Sequence, residues 1–199
     1  MAGRELMKMP QPLEALHQLL EQKREALVTL VAIDGHSAAG KSTLADQIHA
    51  SYPLSTVVRM DDFYRPLAPP ARAALDAAGG YAWYYDWQRL ERQVLQPLRV
   101  GQAGRYQKYN WSLNRLDGLW HEVQPQGVVV VEGCYALRPE LRSYFALLLL
   151  VESSAARRWQ RQLQRGDAED WLKRWDAAER YYMQTCRPEA YADLIVAGE

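Results

Sequence analysis

An apolar, β-branched run, Ala26-Leu27-Val28-Thr29-Leu30-Val31-Ala32-Ile33-Asp34, breaks off into Gly35-His36-Ser37-Ala38-Ala39-Gly40-Lys41-Ser42-Thr43. A helical pattern then resumes through Leu44, Ala45 and Ile48. The loop fits G-x-x-x-x-G-K-[ST] at every fixed position, and the strand before it and helix after it are the setting that a phosphate-binding loop requires. Gly35 and Gly40 allow a tight turn and close approach of backbone to a ligand. The amides from Ser37 to Ser42 can then point into one cavity at a helix N-terminus, where unpaired N–H groups and the helix dipole favour an anion. Lys41 would reach the β- and γ-phosphates, and the Ser42 hydroxyl would hold magnesium. A dinucleotide fingerprint is excluded, because no middle glycine completes G-x-G-x-x-G.

The 199 residues suit one domain with a lid, and 48% hydrophobic content supports a sizeable core. Zero formal net charge gives no argument for a nucleic-acid footprint. Two cysteines, Cys134 and Cys186, make no disulfide framework and fit a reducing compartment. No secretory leader stands at the N-terminus, and the apolar run Phe145–Val151 is too short to span a bilayer, so a cytoplasmic protein is expected.

Pro10 and Pro12 open an expected helix over about residues 11–25, with Leu13, Leu16, Leu20 and Leu27 facing a sheet edge. Ser55–Met60 reads as a second strand running into Asp61-Asp62-Phe63-Tyr64. The Ala-, Pro- and Gly-rich segment from Leu67 to Tyr85 has no clear period. Asp86 can cap a helix carrying Trp87, Leu90, Val94 and Leu95, stopped by Pro97. Gly101–Gly118 reads as loop or short hairpin. Val128–Val131 and Ala146–Val151 are strands buried on both faces. Ser153 or Ser154 can cap the helix that Gly166 ends, and another helix carries Trp171, Trp175, Ala178 and Tyr182 on one face. Pro188 breaks the chain before a last short strand, Ala192–Val196. This alternation implies an α/β fold with a parallel sheet of about five strands and helices on both faces.

Asp61 ends the second strand, where parallel sheets place ligands. A carboxylate there suits a hydroxyl acceptor, whose proton it can take, and would repel an acceptor phosphate. Glu132, ending Val128–Val131 before Gly133, can hold magnesium or its water. Arg157, Arg161 and Arg165 recur at i, i+4 and i+8, opposite Ala156, Trp159 and Leu163. A mobile helix with such a face can close over ATP and spread positive charge on the transferring phosphoryl group.

In these stretches the chain resembles the uridine kinase and phosphoribulokinase group of P-loop kinases, nearest to bacterial uridine kinase-like proteins. The resemblance rests on Gly35–Thr43, Met60-Asp61-Asp62-Phe63-Tyr64, Tyr85-Asp86-Trp87-Gln88-Arg89-Leu90, Val128–Gly133, the arginine helix, and Ala192-Asp193-Leu194-Ile195-Val196. It implies a P-loop kinase fold in one domain, with an acceptor-binding insert over about 62–118 and a small helical lid over about 153–170. ATP would be the donor, magnesium the metal, and a small-molecule hydroxyl the acceptor. Gly35, Ser37, Ala38, Ala39, Gly40, Lys41, Ser42 and Thr43 fall in the nucleotide site. Asp61 matches the base position, Glu132 the metal side, and Tyr64, Tyr85 and Tyr109 the acceptor pocket. The chain departs from true uridine kinases at three places. Gly80-Tyr81-Ala82-Trp83-Tyr84 replaces an acidic, Pro-containing stretch, Asn110 replaces an aspartate, and Asn114 stands nearest to an expected histidine. Eight aromatics (Tyr64, Tyr81, Trp83, Tyr84, Tyr85, Tyr106, Tyr109 and Trp111) are candidates to fill the altered pocket.

Two other readings stay open at this level. A nucleoside-monophosphate kinase would use Arg65, Arg72, Arg89 or Arg105 on an acceptor phosphate. A nucleotide-binding regulatory module would have no metabolic acceptor. The acceptor, the donor base and the choice between monomer and homodimer are not legible, and neither nucleic acid nor membrane is an expected partner.

Overall fold

The computed structural model describes residues 11–166 and 168–198. Helix α1 (Gln11–Gln22) leads to β1 (Val28–Asp34), then α2 (Lys41–Ser51) and β2 (Ser55–Arg59). A 3₁₀ turn (Met60–Phe63) precedes the short helices α3 (Pro69–Ala73) and α4 (Ala77–Trp83). Next comes a helix built of α5 (Trp87–Leu90), a wider π-type stretch (Glu91–Leu95) and α6 (Gln96–Arg99). Four short strands follow, β3 (Gly104–Tyr106), β4 (Tyr109–Asn110), β5 (Arg115–Leu116) and β6 (His121–Val123), and then β7 (Gly127–Glu132) and β8 (Leu147–Glu152). The chain ends with α7 (Ala155–Gln164), α8 (Glu169–Cys186) and β9 (Leu194–Ala197).

The main sheet has five strands in the order β2-β7-β1-β8-β9, all parallel. Every residue of β1 is buried, as expected of a central strand covered on both sides. Val31, Ile33, Val128, Val130, Leu147 and Leu149 meet Leu16 and Leu20 of α1 and Leu44 and Ile48 of α2 on one face. Leu30, Ala32, Val58, Val129 and Val131 meet Leu90, Val94, Trp175, Ala178 and Tyr182 on the other. Two small antiparallel pairs, β3 with β6 and β4 with β5, stand apart from this sheet.

Several sequence expectations change. The first helix ends at Gln22, short of residue 25, and lies over the sheet's face, because Leu16 and Leu20 pack on inner strands. Leu27 is outside it and exposed, Pro10 lies outside the described residues, and of Leu13 only its place in α1 is described. Pro97 does not stop its helix, which continues to Arg99. The π-type stretch just before it resets the hydrogen-bond pattern, so the ring enters as if at a first turn, where its missing N–H is not needed. Asp86 and Ser154 do cap, accepting from the amides of Arg89 (3.2 Å) and Arg157 (3.3 Å).

The segment without a clear period holds α4, despite Gly79 and Gly80. Asp76 caps it through the Gly79 amide at 2.7 Å. A Cβ on Gly80 would lie 2.8 Å from Cβ of Ala178, so the glycine lets α4 press against α8. Close helix contact outweighs the poor helix propensity of glycine here.

Candidate active site

The phosphate loop turns on residues that side chains would obstruct. Gly35 has φ +141°, and a Cβ there would fall 2.2 Å from the Val151 carbonyl oxygen. Gly40, the N-cap of α2, has φ +108°. Ala38 also sits in the left-handed region at φ +59°, a strained position for a non-glycine. Behind the loop, buried Asp34 accepts from the amides of Gly35 (2.6 Å), Tyr135 (3.1 Å) and Leu137 (2.8 Å) and from the Tyr182 hydroxyl (2.5 Å). That carboxylate ties the turn after β1 to the turn after β7. Its burial pushes its pKa up against the pull of these donors.

Lys41 is buried and bends back over the loop, its Nζ donating to the His36 carbonyl at 2.8 Å. Burial alone would favour its neutral amine, but Cys134 and the carboxylates of Glu179, Glu132 and Asp34 reverse the sign and raise its pKa. The ammonium therefore persists in the floor of the cleft. Ser42 Oγ donates to Glu132 Oε1 at 3.2 Å, and Arg59 Nη1 reaches the same oxygen at 2.7 Å. Sheet register sets Arg59 beside Glu132, its partner across β2 and β7, while Ser42 reaches the carboxylate from the first turn of α2. Burial raises the Glu132 pKa, with Lys41 and Arg59 opposing it.

A serine hydroxyl and a carboxylate oxygen 3.2 Å apart are hard donors that fit magnesium, which commonly takes few protein ligands and completes its shell with phosphate and water. Among the described residues no group of three or more His, Cys, Asp or Glu gathers as a metal cage.

One cleft of about 370 Å³ joins the phosphate loop to Asp61 and Tyr85. Ser37, Ala38, Gly40, Lys41, Ser42, Thr43 and Glu132 line it together with Asp61, Tyr85, Trp111, Trp171 and Trp175. The Tyr85 hydroxyl donates to Asp61 Oδ1 at 2.8 Å. Tyr64 and Tyr109 do not line this cleft; both are buried behind Trp111, at 4.5 Å and 5.0 Å between ring centroids. Tyr109 donates to Asn114 Oδ1 at 2.7 Å, and Arg72 donates to the same oxygen at 2.8 Å, so Asn114 braces the insert. Of the other aromatic candidates, Tyr84 and Tyr106 are buried in the core and Trp83 is exposed.

The three arginines expected to form a lid part company. Arg161 donates to the Ala38 carbonyl at 3.1 Å, and Arg165, just beyond α7, lines the cleft. Arg157 is exposed at the first turn, away from the cleft lining. The buried residue of α7 is Gln162; Ala156 and Leu163 are exposed.

Five residues near the site were not read as site residues from the sequence: Arg59, Cys134, Trp171, Trp175 and Glu179. The last three share the α8 face with Ala178 and Tyr182. A charged Glu179 amid that apolar face was the available signal. Arg59 and Cys134 carried none, because strand register and a turn position bring them in.

The family model described as Phosphoribulokinase / Uridine kinase family matches residues 30–196. A uridine kinase of Staphylococcus aureus (strain JH9) is 25% identical over 183 residues, 84% of this chain and 86% of that protein. A structure described as a possible uridine kinase from Bacillus stearothermophilus superposes with TM-score 0.74 at 20% identity, covering 96% of this chain and all of that one. A putative fructose transport system kinase from Silicibacter sp. TM1040 gives TM-score 0.67 at 24% identity, over 92% of this chain and 98% of that one. No helix among the described residues is long and apolar enough to cross a membrane.

Proposed function

This chain belongs to the phosphoribulokinase / uridine kinase family and is a small-molecule kinase, and we propose that it transfers the γ-phosphoryl group of Mg-ATP to a hydroxyl of a nucleoside-like or other small alcohol. The observation that carries this reading is Asp61, held by Tyr85 at 2.8 Å in the same cleft as Lys41 and Ser42. A carboxylate so placed can accept the proton of an attacking hydroxyl. The cleft lining supports an uncharged acceptor. None of Arg65, Arg72, Arg89 and Arg105, the candidates for an acceptor phosphate, is in it. Arg89 instead donates to the carbonyls of Gln107 (2.6 Å) and Asp62 (2.8 Å).

In this reading the loop from Gly35 to Thr43 binds the donor's phosphates, with Lys41 neutralising their charge; the amides of Gly35 and Ser37 are not among the donors, since they bond Asp34 and Glu179. Ser42 and Glu132 hold magnesium, which when bound withdraws charge from the phosphate oxygens. Asp61 orients the hydroxyl and takes its proton, and Tyr85 keeps Asp61 pointed into the cleft. Arg161 and Arg165 stand where they can cover the donor from the lid over about 153–170, with Arg157 at its far end. The insert over about 62–118 shapes the acceptor side, Tyr64 and Tyr109 backing Trp111 from behind. Flat walls such as Trp111 and Trp171 suit a ring-bearing alcohol.

The test is ADP release from Mg-ATP with a panel of acceptors: pyrimidine and purine nucleosides, their monophosphates, simple sugars, glycerate, pantothenate, nicotinamide riboside and a no-acceptor control. Stimulation by one alcohol supports the reading and supplies the substrate. Stimulation by monophosphates alone refutes it, and tight ATP binding with a flat panel favours a nucleotide-binding regulatory module instead.

A further inference from the structure

Glu179 lies on α8, 142 residues from the loop it touches, and is only 2% exposed. Its Oε1 accepts from the Ser37 amide at 2.7 Å, the Trp175 indole N–H at 2.8 Å and the Cys134 thiol at 3.0 Å. Its Oε2 meets His36 Nδ1 at 3.2 Å. The Ser37 N–H is thus turned onto a side chain of the protein. Lys41 in turn donates to the His36 carbonyl at 2.8 Å, so the residue that Glu179 grips through its ring also holds the phosphate lysine. Trp175 completes the arrangement. Its N–H also reaches Ser37 Oγ at 2.5 Å, while its ring stands edge-on to Tyr85 at 5.9 Å, the tyrosine that holds Asp61.

An anion buried beside a loop built to receive anions works against phosphate binding through charge alone. What it offers is reach: one carboxylate spans two successive loop residues and two further donors. We propose that Glu179 is a positioning residue for the phosphate loop, setting His36 and Ser37 so that Lys41 faces the donor's phosphates, with Trp175 as its brace. The inference rests on the donor site described above but not on the identity of the acceptor.

The test uses Mg-ADP binding by calorimetry to the full chain, alongside thermal unfolding of each variant. Glu179→Gln keeps the length and an acceptor oxygen and loses the charge. Glu179→Asp keeps the charge and, one methylene shorter, cannot span Ser37 and His36 together. Glu179→Asp weakens ADP binding about tenfold or more, the scale of a hydrogen bond to a charged group, and Glu179→Gln weakens it less than about threefold. Trp175→Phe, which keeps a ring and removes the N–H, weakens it by about threefold or more and serves if Glu179→Asp fails to fold. Folded Glu179→Asp binding ADP like the original chain overturns the proposal, since a purely structural role would lower only the unfolding temperature. A larger loss in Glu179→Gln than in Glu179→Asp also overturns it, because charge would then be the agent. If the unsubstituted chain fails to bind Mg-ADP, the donor reading itself falls, and this inference with it.

Discussion

Gly80→Ala sets two effects of opposite sign against each other. Alanine in place of glycine inside a helix stabilises by roughly 0.5–1 kcal/mol through the unfolded chain and the helix backbone. At this position the added Cβ would meet Ala178 Cβ and Tyr84 Cε2, each at 2.8 Å. Tyr84 and Ala178 are both buried, so neither can swing into solvent to make room. Overpacking of a well-packed contact costs about 1–3 kcal/mol, which exceeds the helix gain. The net result is destabilisation by about 1–2 kcal/mol, or a fall in Tm of roughly 2–8 °C for a chain of this size. Thermal and urea unfolding measure it. Ala178→Gly, mildly destabilising alone, restores part of the loss when combined with Gly80→Ala, because the two sites share one contact. An unchanged or raised Tm in Gly80→Ala would refute the argument that this glycine exists for close approach of α4 to α8.

Lys41→Ala and Asp61→Asn leave a folded protein with turnover down by roughly 10²–10⁴, the range expected of a lost general base for Asp61; near-normal turnover by Asp61→Asn removes it from that role. Tyr85→Phe deletes the 2.8 Å bond to Asp61 and lowers kcat about tenfold with little effect on ATP binding, which steady-state ADP release separates from a KM change. Burial tends to raise the Glu179 pKa, but His36, Lys41 and Cys134 around it hold it at about 2, below its ordinary 4.5. Its stabilising contribution, on the order of 3 kcal/mol, is complete above pH 4.5 and disappears as pH falls toward 2, so Glu179→Gln flattens the acid limb of stability in that window. Urea unfolding at a series of acidic pH values shows this, and an acid limb as steep as the original's argues against it.

The elements written contiguously in the sequence were the ones it determined. The run into Gly35, the glycine spacing, the apolar stretch ending at Glu132, and the caps at Asp86 and Ser154 each act within a few residues of themselves. Their physics is local: strand burial, backbone freedom, unpaired helix amides. The position of Asp61 just past the carboxyl end of β2, in the 3₁₀ turn Met60–Phe63, followed for the same reason. Tertiary structure decided what depends on distant partners. Helix α4 exists because Ala178 packs onto Gly80, against the local preference of two glycines. Arg59 joins Glu132 because β2 and β7 pair in one register and not another. The aromatic residues divide between core and cleft by where α8 lies: Tyr64 and Tyr84 vanish inside, and Trp111, Trp171 and Trp175 remain at the wall. Glu179 meets Ser37 only once the whole sheet has brought α8 back over the first loop. No pattern in neighbouring residues encodes a contact closed across 142 positions, because its free energy arises only from the assembled packing.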